Sequence, residues 1–424
     1  MVSHAYRAVP YYRETMDRLG LDPSSFQSAD DLSRLPLLEK EHLRSDPEFF
    51  VSTAYPPDRC LKLRTGGSTG VACTVYHNTG ALFQNAAHGE RERSIITPLL
   101  QRSFGYRETV IGSPTVTDRV VQEYCRTRGF FPPGLQIKRQ YLSLLDPPET
   151  NLRLINEFGP DVIRSYGSYL ESLFPHIHAA GAPFRKPGCV TYSSDGLSPS
   201  VRGLITEHFD VPVISTYEAV ESFKIGFECD QGKGVHQNVD LYPVRIVNDQ
   251  GMPVPDGRSG EVVVSNLVNR ATVLLNYRIG DLATRLPESC PCGRNLPLLS
   301  LPEGRNDEYL HLPDGRVVHP QSVRTIVLEE EAVWQFRVIQ KAADYLHVAL
   351  VADPSSDRGQ MRKRLVDKFA GLFGSGVAVE IAFVGTIDRG ASGDKFRVVI
   401  SRCRPPGADA PPGHRADIVK GRQR

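Results

Sequence analysis

The sequence predicts an α/β protein with a large, multi-subdomain N-terminal domain and a small α+β C-terminal domain. Its 424 residues exceed what one hydrophobic core usually supports, so two or more domains are expected. Apolar strands such as 161–166 and 212–216 alternate with helical segments, which is typical of an α/β sheet. After residue 242 the pattern changes to short strands joined by hairpin turns.

The sequence predicts helices and strands along most of the chain. We expect short helices within 4–45, helices at 78–100 and 117–128, a short strand at 109–112, and strands at 244–247 and 261–265. In the C-terminal part we expect a hairpin at 310–318, strands at 334–339, 345–351 and 377–384, and a helix at 357–373. The predicted domains are 1–304 and 305–402, followed by a disordered Pro- and Arg-rich tail at 403–424.

Composition excludes several classes of protein. A net charge of +1 is far from the basic surplus of nucleic-acid-coating proteins, so no nucleic-acid partner is expected. No apolar run approaches the roughly 18–20 residues that span a bilayer, and no secretory signal opens the chain, so no membrane partner is expected. The eight cysteines are scattered, which fits a reducing compartment and predicts a cytoplasmic protein.

A glycine-rich loop at residues 65–70 is the first candidate site. Its glycines, Gly66, Gly67 and Gly70, allow the backbone to approach a ligand closely. Its hydroxyl residues, Thr65, Ser68 and Thr69, add donors to the backbone N–H groups that form an anion-binding concavity in such turns. The loop lacks the spacing of a Walker A motif. An ordinary surface turn is the alternative for such a cluster taken alone.

Four further polar patches follow, each with an ordinary alternative. Residues 217–221 come after a strand and end in Glu221, which also fits a solvated helix start. Asp281 lies on a predicted tight glycine turn at 277–281. The patch 304–307 contains Arg305 and Asp307, which also fit a surface ion pair, and 393–397 carries Lys395 in a glycine-flanked loop.

Taken together, the order and spacing of these patches resemble the acyl-adenylate-forming (AMP-binding) superfamily, most closely its phenylacetate–coenzyme A ligase branch. The opening segment 4–13, the stretch 281–294 and the patch 304–307 carry the branch resemblance. It covers nearly the whole chain and implies a large N-terminal adenylate-forming domain with a small mobile C-terminal domain.

The resemblance implies a role for each patch. The loop residues Thr65, Gly66, Gly67, Ser68, Thr69 and Gly70 would hold the ATP phosphates. Glu221 would bind Mg²⁺, a cation that prefers carboxylate oxygen, and Tyr217 would pack near the adenine or the acyl group. Asp281 would accept the ribose hydroxyls, with Arg305 close to the ribose and phosphates.

Two residues are assigned to the C-terminal domain and its hinge. Asp307 resembles the hinge residue around which the small domain turns between half-reactions. Lys395 would reach the α-phosphate and the substrate carboxylate, where negative charge develops in the transition state. Lys395 and Glu221 are therefore the expected catalytic residues.

The implied activity is that of an AMP-forming acid–thiol ligase. A small-molecule carboxylic acid of the aryl or arylacetic type would react with ATP and Mg²⁺, and coenzyme A would be the co-substrate that accepts the acyl group. One alternative is an adenylating enzyme whose acceptor is an amine, a carrier-protein thiol or another nucleophile. Another is a non-catalytic adenylate-binding or scaffold protein. The sequence leaves the oligomeric state open, a homodimer included.

Three departures from the family pattern concern the nucleotide and acyl pockets. The loop usually ends in Gly-Lys-Pro, whereas Gly70 is followed by Val71 here, so a cation is lost at the pyrophosphate end. The motif at 217–221 lacks the usual glycine and hydroxyl. The adenine segment is at best 194–196. These changes weaken phenylacetate as the specific substrate more than they weaken adenylation.

A second candidate site consists of three cysteines and one histidine, Cys229, His236, Cys290 and Cys292. Three thiolates and one imidazole are the ligand set of a closed, structural zinc site. The alternative is a set of incidental thiols with a surface histidine. The resemblance favours a bound Zn²⁺, because similar members of the branch carry this set.

Overall fold

The structure is a computed structural model with two compact units. It describes residues 1–65, 73–112, 117–129, 137–300, 304–305, 310–318, 323, 326–327, 329–374, 376–387 and 398–403. The large unit contains the described residues up to 305, and the small unit contains those of 310–387 and 398–403. Among all these residues, no helix has both the length and the apolar character that crossing a bilayer requires.

Several predictions concern residues that the structure does not describe. Gly66, Gly67, Ser68, Thr69 and Gly70 lie outside the described residues. The same holds for the hinge residue Asp307, for Lys395 and for the tail beyond Cys403. The domain boundaries and the disorder of the tail therefore stay predictions.

The large unit opens with short helices, as predicted. Its helices are α1 (Val2–Ala8), α2 (Pro10–Leu19), α3 (Lys40–Ser45), α4 (Thr79–Leu100), α5 (Thr117–Thr127), α6 (Pro148–Phe158), α7 (Gly167–Ala180) and α8 (Pro199–Gly203). Helix α2 begins with a proline and ends at Gly20 in the left-handed conformation, which is a typical start and stop. The buried Tyr12 hydroxyl donates to the Val273 carbonyl and accepts from the Leu275 N–H, which fixes α2 on the rest of the unit.

The strands of the large unit form a two-stranded ladder and one long sheet. They are β1 (Leu61–Arg64), β2 (Thr74–His77), β3 (Arg107–Gly112), β4 (Lys138–Ser143), β5 (Val162–Tyr166), β6 (Cys189–Ser193), β7 (Val213–Ala219), β8 (Phe223–Glu228), β9 (Val235–Gln237), β10 (Val244–Val247), β11 (Ser259–Val264), β12 (Tyr277–Leu286), β13 (Leu298–Leu299) and β14 (Gly304–Arg305). Strands β1 and β2 pair antiparallel with each other.

The long sheet changes from parallel to antiparallel at β7. In the order β4-β3-β5-β6-β7 all neighbours are parallel, and helices connect them, as the predicted α/β alternation requires. From β7 the order continues as β8-β9-β13-β12-β11-β10 with antiparallel neighbours, and β14 also pairs with β12. The hairpin-rich pattern predicted after residue 242 belongs to this second half.

The small unit is an α+β structure, as predicted. Its strands are β15 (Leu310–His311), β16 (Val317–Val318), β17 (Val333–Ala342), β18 (Tyr345–Ala352), β19 (Ala378–Phe383) and β20 (Val399–Ser401). Four of them form a mixed sheet in the order β19-β18-β17-β20. Helix α9 (Arg358–Phe373) buries Met361, Leu365, Phe369 and Phe373 on one face, which supplies much of the core of this unit.

A chain of buried ion pairs crosses the parallel half of the long sheet. Glu92 on α4 binds Arg164 at 2.7 Å and Lys224 at 2.6 Å. Arg164 also binds Glu108 at 3.2 Å, and Glu108 binds Arg139 at 2.6 Å. Burial would raise the pKa of Glu92, but the Arg164 and Lys224 cations lower that pKa to about 2. Because each buried carboxylate is shared by two cations, removing one carboxylate leaves an excess positive charge in the chain of ion pairs.

We predict that Glu92→Gln lowers the free energy of unfolding by about 3–5 kcal/mol, because the partly buried Arg164 and Lys224 lose their shared buried anion. The folded-state pKa of Glu92 lies below its unfolded value, so its contribution is complete above about pH 4.5 and is lost as the pH falls toward 2. The difference between wild type and variant should therefore shrink over this range in denaturant titrations.

The matched control is Glu90→Gln on the same helix. Glu90 pairs with Arg93 at the surface, where 59% of the Glu90 side chain is exposed, so its loss should leave the denaturation midpoint unchanged. Equal effects of the two variants, or a Glu92 effect that does not change with pH, would contradict the prediction.

Candidate functional site

The residues on either side of the glycine-rich loop, Thr65 and Cys73, are hydrogen-bonded to each other. Strands β1 and β2 bring Arg64 opposite Thr74, and the ladder continues for one more residue on each side. The Thr65 N–H donates to the Cys73 carbonyl at 2.9 Å, and the Cys73 N–H donates to Thr65 Oγ1 at the same distance. Thr65, which was predicted to bind ATP, is 6% exposed. In the structure it therefore holds the two ends of the loop together.

Glu221 lies in the tight turn between β7 and β8. Its backbone carbonyl accepts a hydrogen bond from Asn266 Nδ2 at 2.9 Å. One residue earlier, the Val220 carbonyl is 2.9 Å from Nε2 of His77, the last residue of β2. His77 is fully buried, and its ring contacts the Phe223 ring in a tilted arrangement, with 4.3 Å between centroids and 39° between planes. The turn that carries Glu221 is thus fixed to the strand that leaves the glycine loop.

The position of Tyr217 differs from its prediction. We predicted that residues 217–221 follow the end of a strand, but β7 continues to Ala219. The reason is the antiparallel partner β8, which pairs Tyr217 with Gly226 and Ala219 with Phe223 beyond the parallel part of the strand. Only the last two residues of this patch form the turn.

Asp281 also differs from its prediction, because it lies inside strand β12 rather than on a tight turn. The register shifts here: Glu261 pairs with Leu282 and Val263 with Arg278, so three residues of β12 face one residue of β11. Gly280 takes a φ of 87° in this bulge, a conformation that favours glycine. Bulges of this kind redirect a side chain without ending the strand.

The structure brings four site residues together in two hydrogen-bonded pairs. The Tyr217 hydroxyl donates to Asp281 Oδ2 at 2.9 Å, which joins β7 to β12 across the sheet. The Tyr277 hydroxyl donates to Glu221 Oε1 at 3.2 Å. Tyr277 is fully buried and Tyr217 is 5% exposed, so each carboxylate is oriented by a fixed phenol. The two hydrogen bonds connect β7 and its following turn to β12, and they thereby fix Glu221 and Asp281 relative to each other.

Residues that sequence reasoning missed are the supports of this site: Tyr277, His77 and Asn266. Tyr277 was visible in the sequence as the first residue of the 277–281 motif, but its partner Glu221 is 56 residues away. His77 and its partner Val220 are separated by 143 residues, so no local pattern in the sequence indicates their contact.

The remaining ATP-site predictions are only partly described. The backbone of Arg305, in β14, pairs directly opposite Asp281, the residue predicted to accept the ribose hydroxyls. Its side chain is not among the described ones, and Lys395 lies outside the described residues. Their roles stay predictions.

The structure brings the four residues of the Cys/His cluster together. The ligand atoms of Cys229, His236, Cys290 and Cys292 all lie within 4.8 Å of one another. The Sγ atoms of Cys229 and Cys290 are 3.6 Å apart, and Cys292 Sγ is 3.4 Å from His236 Nε2. Tetrahedral zinc with bonds of about 2.3 Å to sulfur requires edges of roughly 3.8 Å between sulfurs. The donor set and its spacing therefore fit Zn²⁺.

Three elements supply these ligands. Cys229 follows β8, His236 lies in β9, and the two remaining cysteines lie between β12 and β13. The ladder places Phe227 opposite His236, and His236 opposite Leu298 of β13. Burial raises the pKa of the Cys229 thiol, and binding of a metal would stabilise its thiolate form.

Comparisons with known proteins agree with the predicted resemblance. A phenylacetate–coenzyme A ligase of Thermus thermophilus is 26% identical over 69% of this chain. The match spans 65% of that ligase, so this chain covers about two thirds of its length. Protein CapK of Staphylococcus aureus is 20% identical over 91% of this chain and 83% of its own. Residues 310–402 match the family model of the CapK C-terminal domain.

The fold agrees with solved adenylate-forming ligases. A 2-hydroxyisobutyryl-CoA ligase in the postadenylation state, in complex with R3-HIB-AMP, has a TM-score of 0.75 and 17% identity. The alignment covers 94% of this chain and 87% of that ligase. The predicted fold class is thus confirmed, and the chain is a homologue of the phenylacetate–coenzyme A ligases with the fold of adenylate-forming acyl-CoA ligases.

Proposed function

We propose that this protein activates a carboxylic acid with ATP through an acyl-adenylate and transfers the acyl group to the thiol of coenzyme A. The observation that carries the proposal is the pairing of two carboxylates with two buried phenols, Glu221 with Tyr277 and Asp281 with Tyr217. The homologous ligases and the adenylate-bound structural relative support the same chemistry. The acid is of the aryl or arylacetic class.

Each carboxylate has a distinct task in this proposal. Asp281 accepts hydrogen bonds from the ribose hydroxyls, and Tyr217 keeps its side chain in one orientation. Glu221 is 6% exposed and binds the Mg²⁺ that arrives with ATP, since carboxylate and phosphate oxygens are the ligands this cation prefers. The glycine loop holds the β- and γ-phosphates.

The reaction proceeds in two displacements. A carboxylate oxygen of the acid forms a bond to the α-phosphorus, and the bond from that phosphorus to the bridging oxygen breaks as pyrophosphate leaves with the electron pair. The coenzyme A sulfur, after losing its proton to solvent, then bonds to the acyl carbon, and AMP leaves. Neither step needs a protein nucleophile, so positioning and charge stabilisation by Lys395 provide the acceleration.

A second candidate differs only in the acceptor. The similarity to protein CapK over 91% of this chain, and the match of residues 310–402 to the CapK C-terminal domain, favour this candidate. An amine, a carrier-protein thiol or another nucleophile would then replace coenzyme A. Product analysis after adenylation, with each acceptor added separately, distinguishes these candidates.

We further propose a structural zinc ion held by Cys229, His236, Cys290 and Cys292. When bound, it supplies a crosslink between the end of β8, strand β9 and the segment that precedes β13. No ligand position is left for water, so the site takes no part in the displacements.

We predict about one zinc ion per chain in protein purified without chelators, measured by elemental analysis. Cys290→Ser should lose the metal and lower the thermal midpoint, because structural zinc stabilises the folded state. Cys60→Ser, at a half-buried cysteine outside the cluster, should keep a full complement. A metal-free wild type, or equal zinc in both variants, would refute the site.

We predict acid-dependent ATP–pyrophosphate exchange, and we expect Lys395→Ala to lower it by about 10²–10³, the range for losing one transition-state donor. The measurement is an exchange screen over aryl, arylacetic and short aliphatic acids. Lys363→Ala, an exposed lysine on α9, is the matched control and should retain the wild-type rate. No exchange with any acid would refute adenylation, and wild-type exchange in Lys395→Ala would refute its assignment.

We predict that Asp307→Pro spares adenylation and abolishes most acyl transfer. Proline fixes φ near roughly −65° and removes an N–H, so a hinge at this position would lose its rotation. Exchange and thioester formation are measured separately, with Asp307→Ala as the control that keeps both. If the proline variant lowers both half-reactions equally, or neither, Asp307 is not the hinge.

A further inference from the structure

Glu218 is the most exposed member of the chain of ion pairs that crosses the long sheet. It lies in β7 directly opposite Lys224 of β8, and its Oε1 accepts a hydrogen bond from Lys224 Nζ at 2.8 Å. Lys224 also binds Glu92, whose side chain is only 6% exposed, whereas 29% of the Glu218 side chain is exposed. The buried ion pairs therefore end in a carboxylate that a ligand can reach.

The Glu218 carboxylate is held in one place against helix α4. Lys224 Nζ is 2.6 Å from Glu92 Oε2 on this helix, so the pair lies on the face of the sheet that α4 covers. Gly89 lies about one turn before Glu92, and a Cβ at that position would be 3.5 Å from Lys224 Cε. The lysine stem thus runs along α4 and fixes the orientation of Glu218.

The charges of this chain cancel. Three carboxylates and three cations form it: Glu92, Glu108, Glu218, Arg139, Arg164 and Lys224. A ligand with a net charge would disturb this balance. Lys224 already donates to two carboxylates, whereas the two oxygens of one carboxylate offer about four acceptor positions. A neutral hydrogen-bond donor is therefore the group that fits Glu218.

Glu218 lies between the two proposed nucleotide contacts along the chain. The preceding residue, Tyr217, holds Asp281, and Glu221 follows three residues later in the turn after β7. If the protein has the proposed function, on which this inference rests, the α-phosphorus lies between the ribose at Asp281 and the Mg²⁺ at Glu221. The carboxylate of the acid must reach that phosphorus, which brings the rest of the acid next to this stretch of β7.

We propose that Glu218 binds a neutral hydrogen-bond donor on the carboxylic acid, a hydroxyl or an aromatic amino group, and thereby selects which acids are adenylated. An acid with this donor hydrogen-bonds to a carboxylate that Lys224 already orients. An acid of the same size without it displaces water from the carboxylate and gives nothing in return, so it is a poor substrate.

The test is ATP–pyrophosphate exchange with a series of benzoic acids that carry a hydroxyl, an amino or a methoxy group at each ring position, or no substituent. The corresponding phenylacetic acids form a second series. Wild-type protein should use the best donor-bearing acid about 10- to 100-fold better in kcat/KM than the unsubstituted acid, the effect of one hydrogen bond to a charged group. The methoxy group, which only accepts, should bring no gain.

Variants at position 218 separate substrate binding from a structural role. Glu218→Ala should lose the preference, whereas Glu218→Gln keeps an acceptor oxygen and should keep part of it. The readout is the ratio of kcat/KM for the two acids, because a variant that is merely less stable loses activity towards both equally. Glu207→Gln, at an exposed glutamate outside the chain of ion pairs, is the matched control and should keep the wild-type ratio.

The outcomes distinguish this inference from the proposed function. If wild-type protein shows no exchange with any acid, the proposed function fails and this inference fails with it. If wild-type protein exchanges but does not prefer donor-bearing acids, only the inference is overturned. A preference that Glu218→Ala retains, or that Glu207→Gln loses to the same extent, also overturns it.

Discussion

The turn between β7 and β8 is the constraint on which the candidate site depends. It reverses the chain within the sheet and carries Glu221, which is almost fully buried. Directly after the turn, Phe223 has a φ of 56°, a strained conformation for a residue other than glycine. Such a conformation persists only where surrounding contacts determine it. Those contacts are the hydrogen bond between the His77 ring and the Val220 carbonyl, and the hydrogen bond that the Asn266 amide donates to the Glu221 carbonyl. Because His77 ends the strand that leaves the glycine loop, the loop and the carboxylate share one support.

Sequence reasoning located the parts of this site but not the contacts that assemble them. Hydrophobic periodicity and turn residues are local signals, so α4 and β5 were predictable almost to the residue. The placement of Asp281 was wrong because a bulge exists only relative to a partner strand, and the sequence of β12 alone shows only a glycine. For the same reason the long-range bond from Tyr277 to Glu221 has no local signature.

In the Cys/His cluster too, the sequence showed the residue types but not how the strands bring them together. Its ligand types were visible in the sequence, because three thiols and one imidazole are a known ligand set of structural zinc sites. Their convergence depends on strand order: β9 lies between β8 and β13, which places His236 opposite Phe227 on one side and Leu298 on the other. Residues from three separate segments thus meet at one point of the sheet.

One departure from the family pattern is accompanied by a compensating charge. Glu218 stands in the 217–221 motif where the resembled family has glycine, and it would add an unpaired carboxylate beside Tyr217. Lys224, from the paired strand β8, binds it at 2.8 Å and also binds Glu92 of the buried ion-pair chain. Because the partner strand supplies the cation, the added carboxylate is held without an uncompensated charge.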